Sequence, residues 1–154
     1  MIDTHAHIDM DCYKDKFDAL LEDIKNSGVE KVIIPGVIPQ DFPKIIDLID
    51  KYDNLFGAIG VHPSELKDVE ENWEELVEKY LSHPKVVAVG EIGLDFYWDK
   101  EEENHILQRE VLTKQVKIAK KYNLPILIHD REAHGDCFDI LSKEIHGEIP
   151  VVMH

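Results

Sequence analysis

The sequence contains only two cysteines, Cys12 and Cys137, which lie far apart and form no CxxC pair. This scarcity excludes the disulfide framework of small secreted domains and is typical of proteins from a reducing compartment. No apolar run approaches the roughly 20 residues that a membrane span needs. The first residues also lack the basic and apolar segments of a secretion signal. We therefore predict a cytoplasmic protein with no membrane partner.

Basic side chains are scarce as well. Lys and Arg number 17 against 32 Asp and Glu, so the formal net charge is −15. Charge of this sign disfavours broad electrostatic capture of nucleic acid. It leaves room for a nucleic-acid substrate held through bound cations, because cations invert the local field. The length and the 44% hydrophobic content are typical of a folded globular protein, and we expect a single domain over residues 1–154.

Short apolar segments rich in Val and Ile alternate with amphipathic segments along the chain. The predicted strands begin near Met1, Val32, Leu55, Val86, Ile126 and Val151, and the predicted helices cover roughly residues 17–24, 42–49, 73–80, 101–122 and 136–145. This alternation predicts a parallel α/β sheet with right-handed crossovers. Periodicity alone does not distinguish a doubly wound sheet from an incomplete barrel.

Polar side chains follow five of the six predicted strands closely. They are His5 and His7, His62, Glu91 and Asp95, His129 and Arg131, and His154. In both candidate folds the active site lies at the carboxyl ends of the strands. Contributions from five strands to one rim are typical of a barrel, because an open sheet has a single crevice at its switch point. The arrangement therefore favours a TIM-type (β/α) barrel.

These side chains are of the types that bind metals. His5 and His7 leave the same face of an extended strand, so both can bind one ion. Glu91 follows a buried apolar run, where a carboxylate is costly unless it is paired or bound to a metal. With His129 and His154 the set offers more ligands than one tetrahedral zinc needs. Two ions that share Glu91 explain the surplus.

Taken singly, each residue has a simpler interpretation. A histidine at a strand end is more often a hydrogen-bonded core residue, and Glu91 or Asp95 is often a cap, a turn residue or an ion-pair partner. His62 is equally compatible with binding a substrate phosphate and with stiffening its loop. The remaining histidines lie on or beside predicted helices and are predicted to be surface or capping residues: His83, His105, His134 and His146.

Four motifs, in this order and spacing, resemble the TatD family of metal-dependent deoxyribonucleases. They are Met1–Asp9 (MIDTHAHID), Gly60–Pro63 (GVHP), Gly90–Phe96 (GEIGLDF) and Leu124–Arg131 (LPILIHDR). The HxH pattern also opens many amidohydrolases, but the four motifs together are specific, and Gly90–Phe96 is the most diagnostic. The resemblance implies a (β/α)₈ barrel of the metal-dependent hydrolase kind, present here as about six of eight strands.

The resemblance also implies a binuclear metal site. His5 and His7 would hold one ion, and His129 and His154 would hold the other. Glu91 would bridge the two. The ions would be divalent, and Zn, Mn and Mg are all chemically reasonable.

Further roles follow from the same resemblance. Glu91, Asp95 and Arg131 would be the catalytic residues, while Tyr97, Arg131 and His62 would contact the substrate, with His62 seating the scissile phosphate. Two glutamines match the family's long helix and are expected to serve packing: Gln108 and Gln115.

Family members continue for about another hundred residues, to the roughly 250 of a complete barrel. Those residues carry the last two βα units and a further aspartate for the first metal. No residue of this sequence matches that aspartate, so we expect residues 1–154 to be a truncated domain. Its first and sixth strands would then be open edges of a hydrophobic sheet, through which copies could associate.

Our leading hypothesis for the function is hydrolysis of phosphodiester bonds in DNA, from a strand end, with a metal pair that activates water. The partner would be DNA or another phosphate ester. One alternative is a hydrolase of another ester, such as a lactone, a phosphotriester or an aminoacyl-tRNA. A second alternative is an inactive metal-binding fragment that self-associates.

Overall fold

Six parallel strands form one sheet whose spatial order is the order of the sequence. The computed structural model describes all of Met1–His154. The strands are β1 (Ile2–Asp3), β2 (Lys31–Pro35), β3 (Leu55–Ala58), β4 (Val86–Asp95), β5 (Ile126–Arg131) and β6 (Val151–Met153). A doubly wound sheet would reverse its strand order at a switch point, and this sheet does not. The strands form a half-barrel, as the polar residues at the strand ends predicted.

A helix follows each of the first five strands. The helices are α1 (Phe17–Asn26), α2 (Phe42–Lys51), α3 (Trp73–Leu81), α4 (Glu102–Tyr122) and α5 (His134–Glu144). All five were predicted, although α5 begins two residues earlier than expected. Three short 3₁₀ helices were not predicted, because one turn is too short to display a helical period: Asp11–Lys16, Pro39–Asp41 and Pro63–Glu65.

The two faces of the sheet differ in what covers them. On the helix side a cluster of 26 buried residues joins alternate strand residues, such as Ile126 and Ile128, to the apolar faces of the helices. The opposite face carries a smaller cluster, in which Leu127 lies beside Ala58 and Ala88. Alternation along the strands produces this division. The helices therefore support the sheet from one side, and the polar residues at the strand ends lie at its rim.

The outer strands β1 and β6 each pair on one side only. Ile2 is 56% exposed and Met153 is 52% exposed, and Val151 is also open to solvent. Both strands are short, which limits the surface that another strand could pair with. No helix combines the length and the apolar character needed to cross a membrane.

Strand β4 continues beyond the apolar run Val86–Val89 as far as Asp95. Gly90 and Gly93 disfavour a strand locally, so this extension could not be predicted from the sequence. Here Gly93 permits close approach to β5, because a Cβ atom at that position would lie 1.9 Å from the carbonyl oxygen of His129. The extension brings Glu91 and Asp95 to the rim beside β5.

We expect Gly93→Ala to destabilise the fold by about 3 kcal/mol or more, because the added methyl group meets backbone rather than a flexible side chain. Gly135→Ala is the matched control, since nothing lies within 4 Å of that position in α5. The control should be neutral or stabilise by up to about 1 kcal/mol. Urea denaturation followed by circular dichroism measures both. Equal stabilities for the two variants would contradict the proposed contact.

Candidate metal centre

The carboxylate of Glu91 lies at the rim of the half-barrel and is only 2% exposed. Five histidines from four other strand ends surround it. His5 and His7 follow β1, His62 follows β3, His129 lies in β5 and His154 follows β6. Parallel strands end at the same edge of a sheet, so residues distant in sequence meet there. The carboxylate is the common partner of all five rings.

One oxygen of Glu91 faces the histidines that follow β1. The Nε2 atoms of His5 and His7 lie 3.3 Å and 3.4 Å from Oε2. The same two nitrogens are 3.2 Å apart. The spacing of two residues therefore directs both imidazoles to a single point.

The other oxygen of Glu91 faces a second set of imidazoles. His129 Nδ1 lies 3.0 Å from Oε1, and His154 Nε2 lies 2.8 Å from it. His62 Nε2 is further away, at 3.7 Å. Each carboxylate oxygen thus has its own group of ring nitrogens.

Mutual distances between donor atoms give a second way to group these residues. His5, Glu91 and His154 offer donor atoms within 4.8 Å of one another, and so do His62, Glu91 and His129. The resemblance to the TatD family instead implied that His154 shares an ion with His129. The difference arises because the rings of His5 and His154 lie 3.9 Å apart between centroids. In both groupings Glu91 is the shared ligand.

The histidines keep Glu91 ionised. Burial opposes its charge, but hydrogen bonds from His129, His5 and His7 outweigh that effect and hold its pKa far below the ordinary value. The hydrogen bond to Glu91 raises the pKa of His7. Burial lowers the pKa of His129, but its bonds to Glu91 and Asp95 raise it by more. Without metal, the charge of Glu91 therefore favours the protonated forms of His7 and His129.

His62 behaves differently from the other rings. Burial is the main cause that lowers its pKa, to about 4. The ring is therefore neutral at pH 7. Its Nδ1 lies 3.2 Å from the backbone nitrogen and 2.7 Å from the hydroxyl oxygen of Ser64, and its Nε2 faces Glu91.

Asp95 links β4 to His129 and to the following turn. Its Oδ2 accepts a bond from His129 Nε2 at 3.0 Å, and its Oδ1 accepts the backbone N–H groups of Tyr97 and Trp98. Burial opposes ionisation, but the Trp98 N–H and His129 outweigh it and lower the pKa of Asp95. Asp95 is thus the turn residue of the simpler interpretation, and it also orients His129.

An aromatic and cationic surface borders the centre at the ends of β4 and β5. The guanidinium carbon of Arg131 lies 4.2 Å from the ring centroid of Tyr97 and 5.4 Å from that of Trp98. Arg131 forms no ion pair, whereas Arg109 pairs with an acidic residue on each side. Trp98 is 71% exposed. Trp98 was not predicted as a site residue, although two adjacent aromatic residues after a strand are a signal visible in the sequence.

His105 was expected to be a surface or capping residue. Its ring is largely buried and stacks on Phe96, with centroids 3.8 Å apart, so it is not a surface residue. Gln108 and Gln115 were expected to serve packing, and both are buried. Their amides also hydrogen-bond the backbone at or just after the ends of strands, which no local pattern indicates.

Comparison with known proteins gives this geometry its context. A sequence model described as "TatD related DNase" matches residues 2–154. The chain belongs to the TatD family. Among TatD-family relatives it is 35% identical to the metal-dependent hydrolase YabD of Bacillus subtilis over its full length, and it covers 60% of that protein. It is 28% identical over 172 residues to a human relative named Deoxyribonuclease TATDN3, again covering 60%.

Solved structures of the TatD family match the fold. The crystal structure of YjjV from Escherichia coli superposes with a TM-score of 0.87 at 34% identity, over 94% of this chain and 56% of that one. A TatD-family hydrolase from Entamoeba histolytica gives a TM-score of 0.82 at 27% identity, over 57% of its length. The predicted TIM-type architecture is therefore confirmed. The chain spans between half and two thirds of these relatives.

We expect Glu91→Gln to lower the pKa of His7 and His129 in metal-free protein, because the charge that favours their protonated forms is removed. Two-dimensional NMR of the imidazole rings measures the titrations. In the unsubstituted chain, the stability from these raised pKa values is complete below about 6.5 and is lost as the pH rises through them. Glu91→Gln should remove this part of the pH dependence.

The matched control for that titration is Asp50→Asn, which removes the exposed carboxylate beside His83, 3.0 Å away. It should leave the titrations of His7 and His129 unchanged. Unchanged titrations in Glu91→Gln itself would mean that Glu91 does not govern the charge of the centre.

Proposed function

We propose that this chain carries the metal centre of a hydrolase that cleaves phosphodiester bonds of DNA, from a strand end. The observation that carries the proposal is the division of imidazoles between the two oxygens of Glu91. His5 and His7 lie at one oxygen, and His129 and His154 lie at the other. A bridging carboxylate between two divalent ions needs this arrangement of donors.

The donor set fits such ions. Imidazole together with carboxylate suits Zn and Mn, whereas Mg prefers oxygen ligands and keeps several waters. The lowered pKa of Glu91 keeps it ionised, as a ligand must be. We therefore propose two Zn or Mn ions, with His5 and His7 on one, His129 and His154 on the other, and Glu91 on both. When bound, such ions polarise a phosphoryl oxygen and lower the pKa of an attacking water.

The residues around the centre supply substrate contacts. Arg131 is free of ion pairs, and its guanidinium plane lies against Tyr97, which leaves its N–H groups available to phosphate oxygens. The ring of His62, whose Nε2 faces the centre, is the second group that would contact the phosphate. Asp95 holds His129 in a fixed orientation. These groups favour a phosphate ester over a neutral ester.

The charge of the chain makes cations necessary for this activity. A polyanionic substrate is repelled by the net charge of −15. Divalent ions and Arg131 would reverse that field locally at the rim. Binding of DNA should therefore depend on metal, and the human relative's name, which includes deoxyribonuclease, agrees with this substrate.

A hydrolase of another ester remains the alternative within the same chemistry, since the same centre would activate water against a lactone or an aminoacyl ester. Turnover of such esters by metal-loaded protein, without cleavage of DNA, would favour it.

For the 154-residue chain itself, the exposed residues of β1 and β6 support a further proposal of self-association. Light scattering that detects a dimer without turnover would favour an inactive fragment.

We expect Glu91→Ala and His5→Ala to lower metal-dependent cleavage of a labelled oligonucleotide by roughly 10²-fold or more, because each removes a ligand. The protein is stripped with chelator and reloaded with Mn or Zn before the assay. Asp50→Asn serves as the control and should cleave like the original chain. Undiminished cleavage by Glu91→Ala would refute the assignment.

We expect Arg131→Ala to reduce kcat/KM for DNA by about 10- to 10²-fold, through loss of charge-assisted hydrogen bonds worth about 1.5–3 kcal/mol. Metal affinity, measured by isothermal titration calorimetry, should stay unchanged, since Arg131 is not a ligand. Arg131→Lys should recover only part of the loss, because an ammonium group lacks the planar fork. A variant that loses metal instead would place Arg131 in a different role.

A further inference from the structure

The chain buries only four polar or charged residues: Glu91, Asp95, Gln108 and Gln115. The first two belong to the metal centre. The glutamines lie on α4, among apolar residues that pack against the sheet, and are 2% and 1% exposed. A buried amide is costly unless its hydrogen bonds are made. The partners of these amides are therefore informative.

Both glutamines bind the backbone in the same way. Gln115 accepts the N–H of Val61 at 2.7 Å and donates to the carbonyl of Val61 at 2.9 Å. Gln108 accepts the N–H of Asp95 at 2.8 Å and donates to the carbonyl of Asp95 at 3.2 Å. In each case a side-chain amide pairs with both polar groups of one residue, as a neighbouring strand would.

The two bound residues lead directly to the metal centre. Val61 precedes His62, and Asp95 accepts a hydrogen bond from His129. The rings of His62 and His129 are in contact, with centroids 4.4 Å apart. Both lie on the Oε1 side of Glu91. The glutamines therefore support the two segments that meet at this side of the centre.

The helix fixes the distance between those segments. Gln108 and Gln115 are seven residues apart, so they lie on one face of α4, about 10.5 Å apart along its axis. Each amide binds both backbone polar groups of one residue. The distance between the two glutamines along α4 therefore sets the distance between Val61 and Asp95. Apolar side chains of similar volume would fill the same space but would leave four buried backbone groups unpaired.

We propose that Gln108 and Gln115 are positioning residues, through which α4 sets the separation of His62 and His129 at the metal centre. This inference rests on the proposed function, because the separation matters only if the centre binds metal. Neither glutamine touches a candidate ligand. Gln108 acts through the backbone of Asp95, which contacts His129. Gln115 acts through the backbone of Val61, which precedes His62.

The test compares Gln108→Met and Gln115→Met with Val116→Ala. Val116 is fully buried on the same helix, so its substitution costs stability without removing a bond to the strand ends. Mn²⁺ affinity is measured by electron paramagnetic resonance and the ligand field by the Co²⁺ absorption spectrum. We expect Gln108→Met to bind Mn²⁺ about 10- to 100-fold more weakly and to alter the Co²⁺ spectrum, because Asp95 orients the ligand His129. Gln115→Met acts through His62, which is not one of the proposed ligands, so it should move the His62 ring without this loss. Val116→Ala should stay within about 2-fold of the original chain.

Gln108→Glu and Gln115→Glu keep the side-chain shape and the acceptor but lose the donor, so they extend the test if the methionine variants do not fold. Gln108→Glu should weaken Mn²⁺ binding in the same direction as Gln108→Met. Wild-type Mn²⁺ affinity and Co²⁺ spectrum in a folded Gln108 variant would overturn the proposal.

A metal-free measurement separates this proposal from the proposed function. The ring resonances of His62 and His129 should shift in the glutamine variants, and the amide hydrogens of Val61 and Asp95 should exchange faster. Neither change should occur in Val116→Ala. If the unsubstituted chain binds neither ion, the proposed function fails, while the NMR comparison still decides the positioning role. Unchanged rings and unchanged exchange would refute that role.

Discussion

The buried carboxylate of Glu91 is the constraint on which the rest of the structure depends. A charge that is 2% exposed is stable only because imidazoles surround it. To supply them, the ends of four other strands must meet at one point, which the parallel half-barrel achieves. The need to hydrogen-bond one buried carboxylate thus explains why histidines lie along the rim.

Much of the fold could be predicted from the sequence because its signals are local. Val- and Ile-rich runs and helical spacing, as between Phe17 and Ile24, identify strands and helices without knowledge of their partners. The order of the elements then leaves few topologies. The end of β4 could not be predicted, since Gly90 and Gly93 disfavour a strand locally and are required there by the proximity of β5.

The candidate site divides in a similar way. His5, His7 and Glu91 could be selected because their residue types and positions are unusual for buried strand ends. The contact between the rings of His154 and His5 could not, because it joins the ends of two strands that are not neighbours in the sheet. Gln108 and Gln115 carry no sequence signal beyond polarity within an apolar face, and only the structure identifies the backbone groups that they bind.

The contact between the rings of His5 and His154, 3.9 Å apart, has a consequence for folding. These histidines extend from the first and the last of the six described strands, so their rings meet only when both strand ends are in place. Contacts between residues so distant in sequence form late, because closure of the intervening chain is entropically costly. His5 and His7 are neighbours in sequence and can meet early, whereas His154 joins the centre only after this closure. The rate at which an ion gains its full set of ligands would therefore follow the pairing of β6 with β5.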